Sequence, residues 1–254
     1  MWPKTPESTD AGGTLGEVSP HPRTTRIVSR VHEVARSGSD LVVPIVCGGC
    51  AAPGIAWCGD CAQALCDDPI AVRPRVDVGA AVWALGPYRG PRRAALIEAK
   101  EHGRRDLHRP LGRALARGIA TLARWGELPD AEALRLVPAP TRRSSARRRG
   151  GDPVTAMARA AAGCLGPQVT VSPTLVTSGS ARDSSGLDAR QRVHNLAGAV
   201  RMCVRPDQAR RVLAGSTVVL VDDILTTGAT ASESIRVLTA HGIVVHAVVV
   251  VAAA

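Results

Sequence analysis

One run of thirteen residues, 218–230, constrains the fold more than any other part of the chain: V-V-L-V-D-D-I-L-T-T-G-A-T. Its first four residues are apolar and mostly β-branched, which is typical of a strand buried in a parallel sheet. Residues 229–240 then have the pattern of a helix. The connecting loop therefore lies at the carboxyl end of a strand, which is where ligands bind in open α/β sheets.

The loop has the chemistry of an anion site. A helix N-terminus presents free N–H groups and a positive dipole end, Gly228 permits close approach of the backbone, and three threonine hydroxyls can donate to phosphate oxygens. Asp222 and Asp223 add two acceptors just ahead of it. Phosphate alone does not call for carboxylates, so the combination predicts a sugar phosphate, whose hydroxyls donate. The alternative is that the two aspartates only cap the loop.

The same run resembles the phosphoribosyl-pyrophosphate (PRPP) motif of the type I phosphoribosyltransferases. The resemblance implies an α/β fold with an open, mostly parallel sheet flanked by helices. It also implies that Asp222 and Asp223 are the catalytic acidic pair, which holds the ribose hydroxyls with Mg²⁺ nearby. Carried over by position, the residues that bind the 5′-phosphate are Thr226, Thr227, Gly228, Ala229 and Thr230.

Four cysteines near the N-terminus form two knuckles, Cys47-x-x-Cys50 and Cys58-x-x-Cys61. Thiolates at this spacing predict a tetrahedral Zn²⁺ site. We expect the zinc to be structural, because a segment of about 25 residues buries too little apolar surface to fold alone. Two disulfides or a redox Cys-x-x-Cys are the alternatives. Cys66 is either a substitute ligand or a small buried residue.

A basic loop follows the apolar segment 134–137, which we predict to be a strand. Arginine's planar guanidinium matches phosphate oxygens, so the loop is a candidate contact for pyrophosphate or for a nucleic-acid backbone. A solvated loop without a ligand is the alternative. The net charge of +10 permits an anionic partner without identifying it. The arginines concerned are Arg142, Arg143, Arg147, Arg148 and Arg149.

The order of motifs along the chain resembles the ComF family of phosphoribosyltransferase-like competence proteins. The motifs are the four cysteines, Tyr88-Arg89-Gly90 followed by Lys100, V-P-A-P at 137–140, Arg149-Gly150, Arg192-x-x-Asn195 and the terminal PRPP motif. The resemblance implies a zinc-bearing N-terminal module on a phosphoribosyltransferase domain, with single-stranded DNA and the DNA-uptake machinery as candidate partners. Where that family usually continues with a Phe-Asn-Gln-like stretch, this chain has Gly151-Asp152-Pro153.

These motifs divide the chain into three parts. We predict a disordered tail at 1–40, a four-cysteine zinc module at 41–75 and a phosphoribosyltransferase-like domain at 76–254. The first forty residues contain no apolar core of a secretory signal, and the longest apolar stretch, 243–254, is too short to cross a bilayer and is better explained as the last strand. We therefore expect a cytoplasmic protein without membrane insertion.

Overall fold

The computed structural model describes residues 45–141, 151–177 and 198–254. The predicted tail lies outside this range, as do the five arginines of the basic loop and the segment that contains Arg192 and Asn195. Within it the helices are α1 (Gly59–Gln63), α2 (Gly90–Lys100), α3 (His108–Arg124), α4 (Pro153–Leu165), α5 (Pro206–Leu213) and α6 (Ala229–Ala240). The strands are β1 (Ile70–Ala71), β2 (Ala81–Ala84), β3 (Leu134–Pro138), β4 (Val169–Val171), β5 (Leu175–Thr177), β6 (Val200–Met202), β7 (Thr217–Leu225) and β8 (Ala247–Ala253).

Six of the strands form one sheet in the order β1-β2-β8-β7-β3-β4. All neighbours in it are parallel except β1, which pairs antiparallel with β2 from within the predicted module range 41–75. The strands β5 and β6 form a separate antiparallel pair. This mostly parallel sheet with helices along it confirms the predicted α/β fold. In the three described ranges, no helix combines the length and apolarity that crossing a bilayer requires.

The strand β7 lies in the middle of the sheet and continues further than the sequence pattern indicates. The apolar run predicts a strand that ends at Val221, whereas β7 extends to Leu225 and includes both aspartates. The reason is that β8 continues to pair with it, as far as Leu225 opposite Ala253. The predicted helix at 229–240 is confirmed by α6, so the 226–230 loop joins β7 directly to that helix.

Side chains on β7 alternate between two buried layers. Val219 and Val221 belong to the apolar cluster that includes residues of α2, α3 and α4, whereas Val218 and Leu220 belong to the cluster that includes residues of α5 and α6. Because successive strand residues point to opposite faces, Asp222 lies on the α6 face and Asp223 on the α2 face. The two neighbouring carboxylates are therefore placed in different surroundings.

The cysteine module, residues 45–66, packs against the helices that cover one face of the sheet. Leu65 belongs to the larger apolar cluster, and Trp57 packs against it. Gly48 lies so close to Leu107 that a Cβ at this glycine would be 2.6 Å from the leucine side chain. The module and the α2–α3 layer thus share one apolar core.

Candidate functional site

The 226–230 loop forms one wall of a cavity of about 210 Å³ at the carboxyl end of β7. Gly228 is the N-cap of α6 and has φ of 87°, a left-handed conformation that glycine adopts without strain. A glycine cap offers no side-chain oxygen of its own to the first turn of the helix. Apart from the N–H of Ala229, which donates to the Thr227 hydroxyl, the N–H groups of this turn can receive an anion. The cavity is lined by Asp222, Ile224, Leu225, Thr226, Thr227, Gly228, Ala229, Thr230, Ala231 and Val250.

The three threonines of the loop differ in their surroundings. Thr227 is buried, and its hydroxyl accepts a hydrogen bond from the N–H of Ala229 at 3.3 Å, so this side chain shapes the turn. Thr226 is exposed and Thr230 is half-buried, and both line the cavity. All five residues predicted to bind phosphate are thus brought to one cavity, and Thr226 and Thr230 have the more accessible hydroxyls.

The acidic pair contributes one carboxylate to this cavity and buries the other. Asp222 is half-buried and lines the cavity beside the loop. Asp223 is only 5% exposed, and its Oδ2 lies 2.8 Å from Nζ of Lys100, the last residue of α2. Each carboxylate also accepts the N–H of the next residue at 2.8 Å. The sequence singles out Lys100 as a family motif, but no pattern in it indicates this ion pair.

Burial and neighbouring charges shift the pKa values of Asp222 and Lys100. Removal from water raises the pKa of Asp222 well above its ordinary range, and the negative charge of Asp223 raises it further. Desolvation alone would lower the pKa of Lys100, but the charges of Asp223 and Asp222 outweigh it, and the lysine pKa is raised. A second cation or a set of hydroxyl donors beside Asp222 would therefore stabilise its charged form.

The edge of β7 that faces β3 is open at the acidic pair. Pairing with β3 ends where Pro138 lies opposite Val221, and the N–H of Ala139 then donates to the carbonyl of Val221 at 2.8 Å. Beyond that point β7 is paired within the described ranges only with β8. The part of β7 beyond Val221 thus lies at the carboxyl ends of adjacent parallel strands, the usual place for a ligand in an open α/β sheet.

A hydrogen bond joins the two ends of the basic loop, which follows the carboxyl end of β3. Thr141 donates its hydroxyl hydrogen to Oδ1 of Asp152 at 2.6 Å. Asp152 also caps α4 by accepting the N–H groups of Val154 and Thr155. The departure from the ComF pattern at Gly151-Asp152-Pro153 thus supplies a helix cap and a hydrogen bond between the two ends of the loop. The arginines between these ends lie outside the described residues.

A second loop, residues 72–80 between β1 and β2, packs on the outside of the 226–230 loop. The N–H of Val76 donates to the carbonyl of Thr227 at 3.0 Å, and the hydroxyl of Ser232 donates to the carbonyl of Asp77 at 2.9 Å. A Cβ added at Gly228 would lie 2.8 Å from Cβ of Pro74. Nothing in the sequence indicates this contact, because it joins segments far apart in the chain.

The four predicted metal ligands come together in the structure. Their sulfur atoms all lie within 4.8 Å of one another, and Cys50 and Cys58 are 3.6 Å apart. Tetrahedral zinc with bonds of about 2.3 Å places its sulfurs about 3.8 Å apart, so the cluster fits this metal. The disulfide alternative receives no support, since all four cysteines are free thiols in one group. The cluster consists of Cys47, Cys50, Cys58 and Cys61.

Backbone donors favour the thiolate of Cys47, whereas burial and the neighbouring cysteine side chains raise the pKa of Cys61. Sγ of Cys47 accepts the N–H groups of Gly49 at 3.5 Å and Cys58 at 3.4 Å, and Sγ of Cys58 accepts the N–H of Cys61 at 3.5 Å. Burial by itself raises the pKa of Cys47, but these donors and that of Cys50 outweigh it and lower the pKa to about 6. Cys66 is outside the cluster and donates to the carbonyl of Ala62, so its substitute-ligand role is not supported.

Comparison with known protein families identifies one domain. The family model described as the phosphoribosyl transferase domain matches residues 150–254, a range that includes β7, the 226–230 loop, α6 and β8. A search of curated proteins found no match for the chain. Residues 150–254 thus match a phosphoribosyltransferase domain, in agreement with the predicted fold, and a four-cysteine cluster precedes them. The more specific likeness to ComF stays a prediction.

Proposed function

We propose that this protein binds PRPP, or a closely related phosphorylated ribose, together with Mg²⁺ in the cavity at the carboxyl end of β7. One observation carries the proposal: Asp222 and the 226–230 loop line a single cavity inside the matched domain. The cavity offers anion donors at one side and a carboxylate acceptor at the other. A ribose phosphate presents the complementary groups in the same order.

In the proposed complex, the 5′-phosphate binds the N–H groups and hydroxyls of the 226–230 loop. The ribose hydroxyls donate to Asp222, which lines the cavity. Asp223 is buried, and it would accept a ribose hydroxyl through a lone pair that Ile224 and Lys100 leave free. Mg²⁺ would bind oxygens of PRPP beside the acidic pair, because hard cations prefer oxygen ligands. Asp222 supplies such oxygens at the cavity, and a divalent cation would offset its negative charge together with the charges of the ligand.

Transfer of the phosphoribosyl group to an acceptor would form a bond between C1 of the ribose and the acceptor and break the bond between C1 and the pyrophosphate oxygen, releasing pyrophosphate. Positive charge then develops at C1 and negative charge on the leaving pyrophosphate. Preorganised charges at the site would stabilise both. We propose Arg142 or Arg143 as the pyrophosphate contact, since the basic loop follows the carboxyl end of β3, the strand that pairs with β7.

We further propose that the cysteine cluster holds a structural zinc, and that the protein is ComF-like with a role in DNA uptake. The support for the first is the fit of four thiols to tetrahedral coordination. The second depends on the order of motifs in the sequence. The alternative function is binding of single-stranded DNA by the same 226–230 phosphate loop together with the basic loop at 142–149. No observation in the described ranges favours it over PRPP.

The test is calorimetric titration of Mg²⁺–PRPP into the wild type and into Asp222→Asn. We expect the substitution to weaken binding about tenfold or more, because it removes a charged hydrogen-bond acceptor. The matched control is Asp130→Asn, the same change at an exposed position near the opposite end of β7, where affinity should not change. No PRPP binding by the wild type, with salt-sensitive binding of an oligonucleotide instead, would contradict the proposal.

A further inference from the structure

The ion pair between Lys100 and Asp223 is a feature that the proposed function leaves unexplained. Nζ of Lys100 lies 2.8 Å from Oδ2 of Asp223, and the lysine side chain is 34% exposed while the aspartate side chain is 7% exposed. Exposed ion pairs contribute little to stability. Here the carboxylate is buried, so removing its partner would leave an uncompensated charge, which is costly.

The contact orients the carboxylate of Asp223 and also compensates its negative charge. Oδ1 accepts the N–H of Ile224 at 2.8 Å, and Oδ2 receives Lys100, so both carboxylate oxygens have a defined partner. Asp222 is the next residue along the strand and also interacts electrostatically with the lysine. One lysine therefore offsets one of the two negative charges of the acidic pair, at the place where we propose that a polyanionic ligand binds.

The helix that carries Lys100 is held at its other end by the cysteine module. Gly49 lies against Pro91 at the start of α2, where a Cβ would be 3.2 Å from the proline Cβ. Nη2 of Arg92 donates to the carbonyl of Ala64 at 3.1 Å and to Oδ2 of Asp67 at 3.0 Å. A side chain presented on an anchored helix is well suited to hold another group in place.

We propose that Lys100 is a positioning residue of the ribose site: it holds Asp223 in the orientation that accepts ribose hydroxyls, and it cancels one of the two adjacent negative charges. This inference rests on the proposed function. It assigns Lys100 no contact with the ligand, so the lysine acts through Asp223 and not on the pyrophosphate.

The test compares two ligands that share the ribose phosphate and differ in the pyrophosphate. Calorimetry measures the affinity of the wild type and of Lys100→Met for Mg²⁺–PRPP and for ribose 5-phosphate. We expect the substitution to weaken both ligands by the same factor, about tenfold or more. Lys100→Arg keeps the charge and should restore most of the affinity. Arg113→Met removes an exposed positive charge from α3 and serves as the matched control.

Each outcome of the titrations distinguishes between different roles of Lys100. Loss of affinity for PRPP alone would mean that Lys100 contacts the pyrophosphate directly, and this would overturn the inference. Equal losses of affinity in Lys100→Met and Arg113→Met would show that the effect comes from the net charge of the protein, and this would also overturn the inference. Unchanged affinity in Lys100→Met, with a bound wild type, would refute the inference and leave the proposed function standing. No binding by the wild type would refute both.

A double-mutant cycle supplies the readout that a merely structural lysine would not change. Far-ultraviolet circular dichroism first confirms that each variant is folded. If Lys100 acts through Asp223, Lys100→Met should have little further effect on ribose 5-phosphate affinity in an Asp223→Asn background. Full additivity of the two substitutions would show that the lysine acts independently of the aspartate, and would contradict the inference.

Discussion

Substitution of Gly228 by alanine tests how the 226–230 loop is built. Two separate costs are expected at this position. The φ of 87° is strained for any residue with a Cβ, at about 1–2 kcal/mol. The added Cβ would also lie 2.8 Å from Cβ of Pro74 and 3.3 Å from Cγ2 of Val78, inside the normal carbon–carbon contact of about 3.5–4.0 Å.

The second cost depends on whether the 72–80 loop can move. It is tied to the 226–230 loop by the hydrogen bond from Val76 to Thr227 at 3.0 Å, so the overlap must be relieved by displacing packed backbone. Overpacking of this kind costs about 1–3 kcal/mol. The free energy of unfolding of Gly228→Ala should therefore fall by about 2–5 kcal/mol in total.

The control is Gly126→Ala. Gly126 has φ of 75°, and a Cβ there would meet no atom within 4 Å, so this variant bears only the backbone strain. Urea denaturation of both variants isolates the contact with the 72–80 loop as the difference between them, about 1–3 kcal/mol. Equal losses of stability would refute the reasoning, because they would show that Gly228 is needed for its conformation alone.

Three further predictions concern the metal centre and one buried carboxylate. If the cluster holds the zinc that we propose, Cys61→Ser should contain less zinc by metal analysis and melt at a lower temperature. Cys66→Ser should keep the zinc content and melting temperature of the wild type, because Cys66 lies outside the cluster. Chelation of the wild type should likewise lower the melting temperature, since the module shares an apolar core with α3; an unchanged melting curve would contradict this. Hydrogen bonds from Arg236 lower the pKa of Glu233, and the N–H of Gly198 adds to the effect. The stability from this group is thus present above the ordinary glutamate pKa of about 4.3 and is lost as the pH falls through the lower folded value. Glu233→Gln should flatten that acid limb in unfolding experiments, and an unaltered limb would count against the assignment.

Local patterns predict the part of the site that is built from one continuous segment. Strand β7, the 226–230 loop and α6 follow from the apolar run, the glycine and the helix periodicity, all within residues 218–240. The four cysteines follow from their spacing, because a metal site with two knuckles needs little besides its ligands and tight turns. These features are determined by neighbours in sequence, and the structure contains them.

Contacts between distant segments could not be predicted. The approach of Lys100 to Asp223 depends on how α2 packs across the sheet, and no periodicity records it. The same holds for Pro74 against Gly228. The end of β7 was also missed, because two carboxylates after Val221 resemble the start of a loop, whereas the backbone of β8 keeps that segment paired to Leu225.

The central claim is that the 226–230 loop receives the phosphate of a phosphorylated ribose. A crystal structure of the protein with Mg²⁺ and PRPP tests it most directly. We expect phosphate oxygens within hydrogen-bonding distance of the N–H groups at the start of α6 and of the Thr226 and Thr230 hydroxyls, with the ribose beside Asp222. A phosphate bound elsewhere, with the 226–230 loop empty, would contradict it.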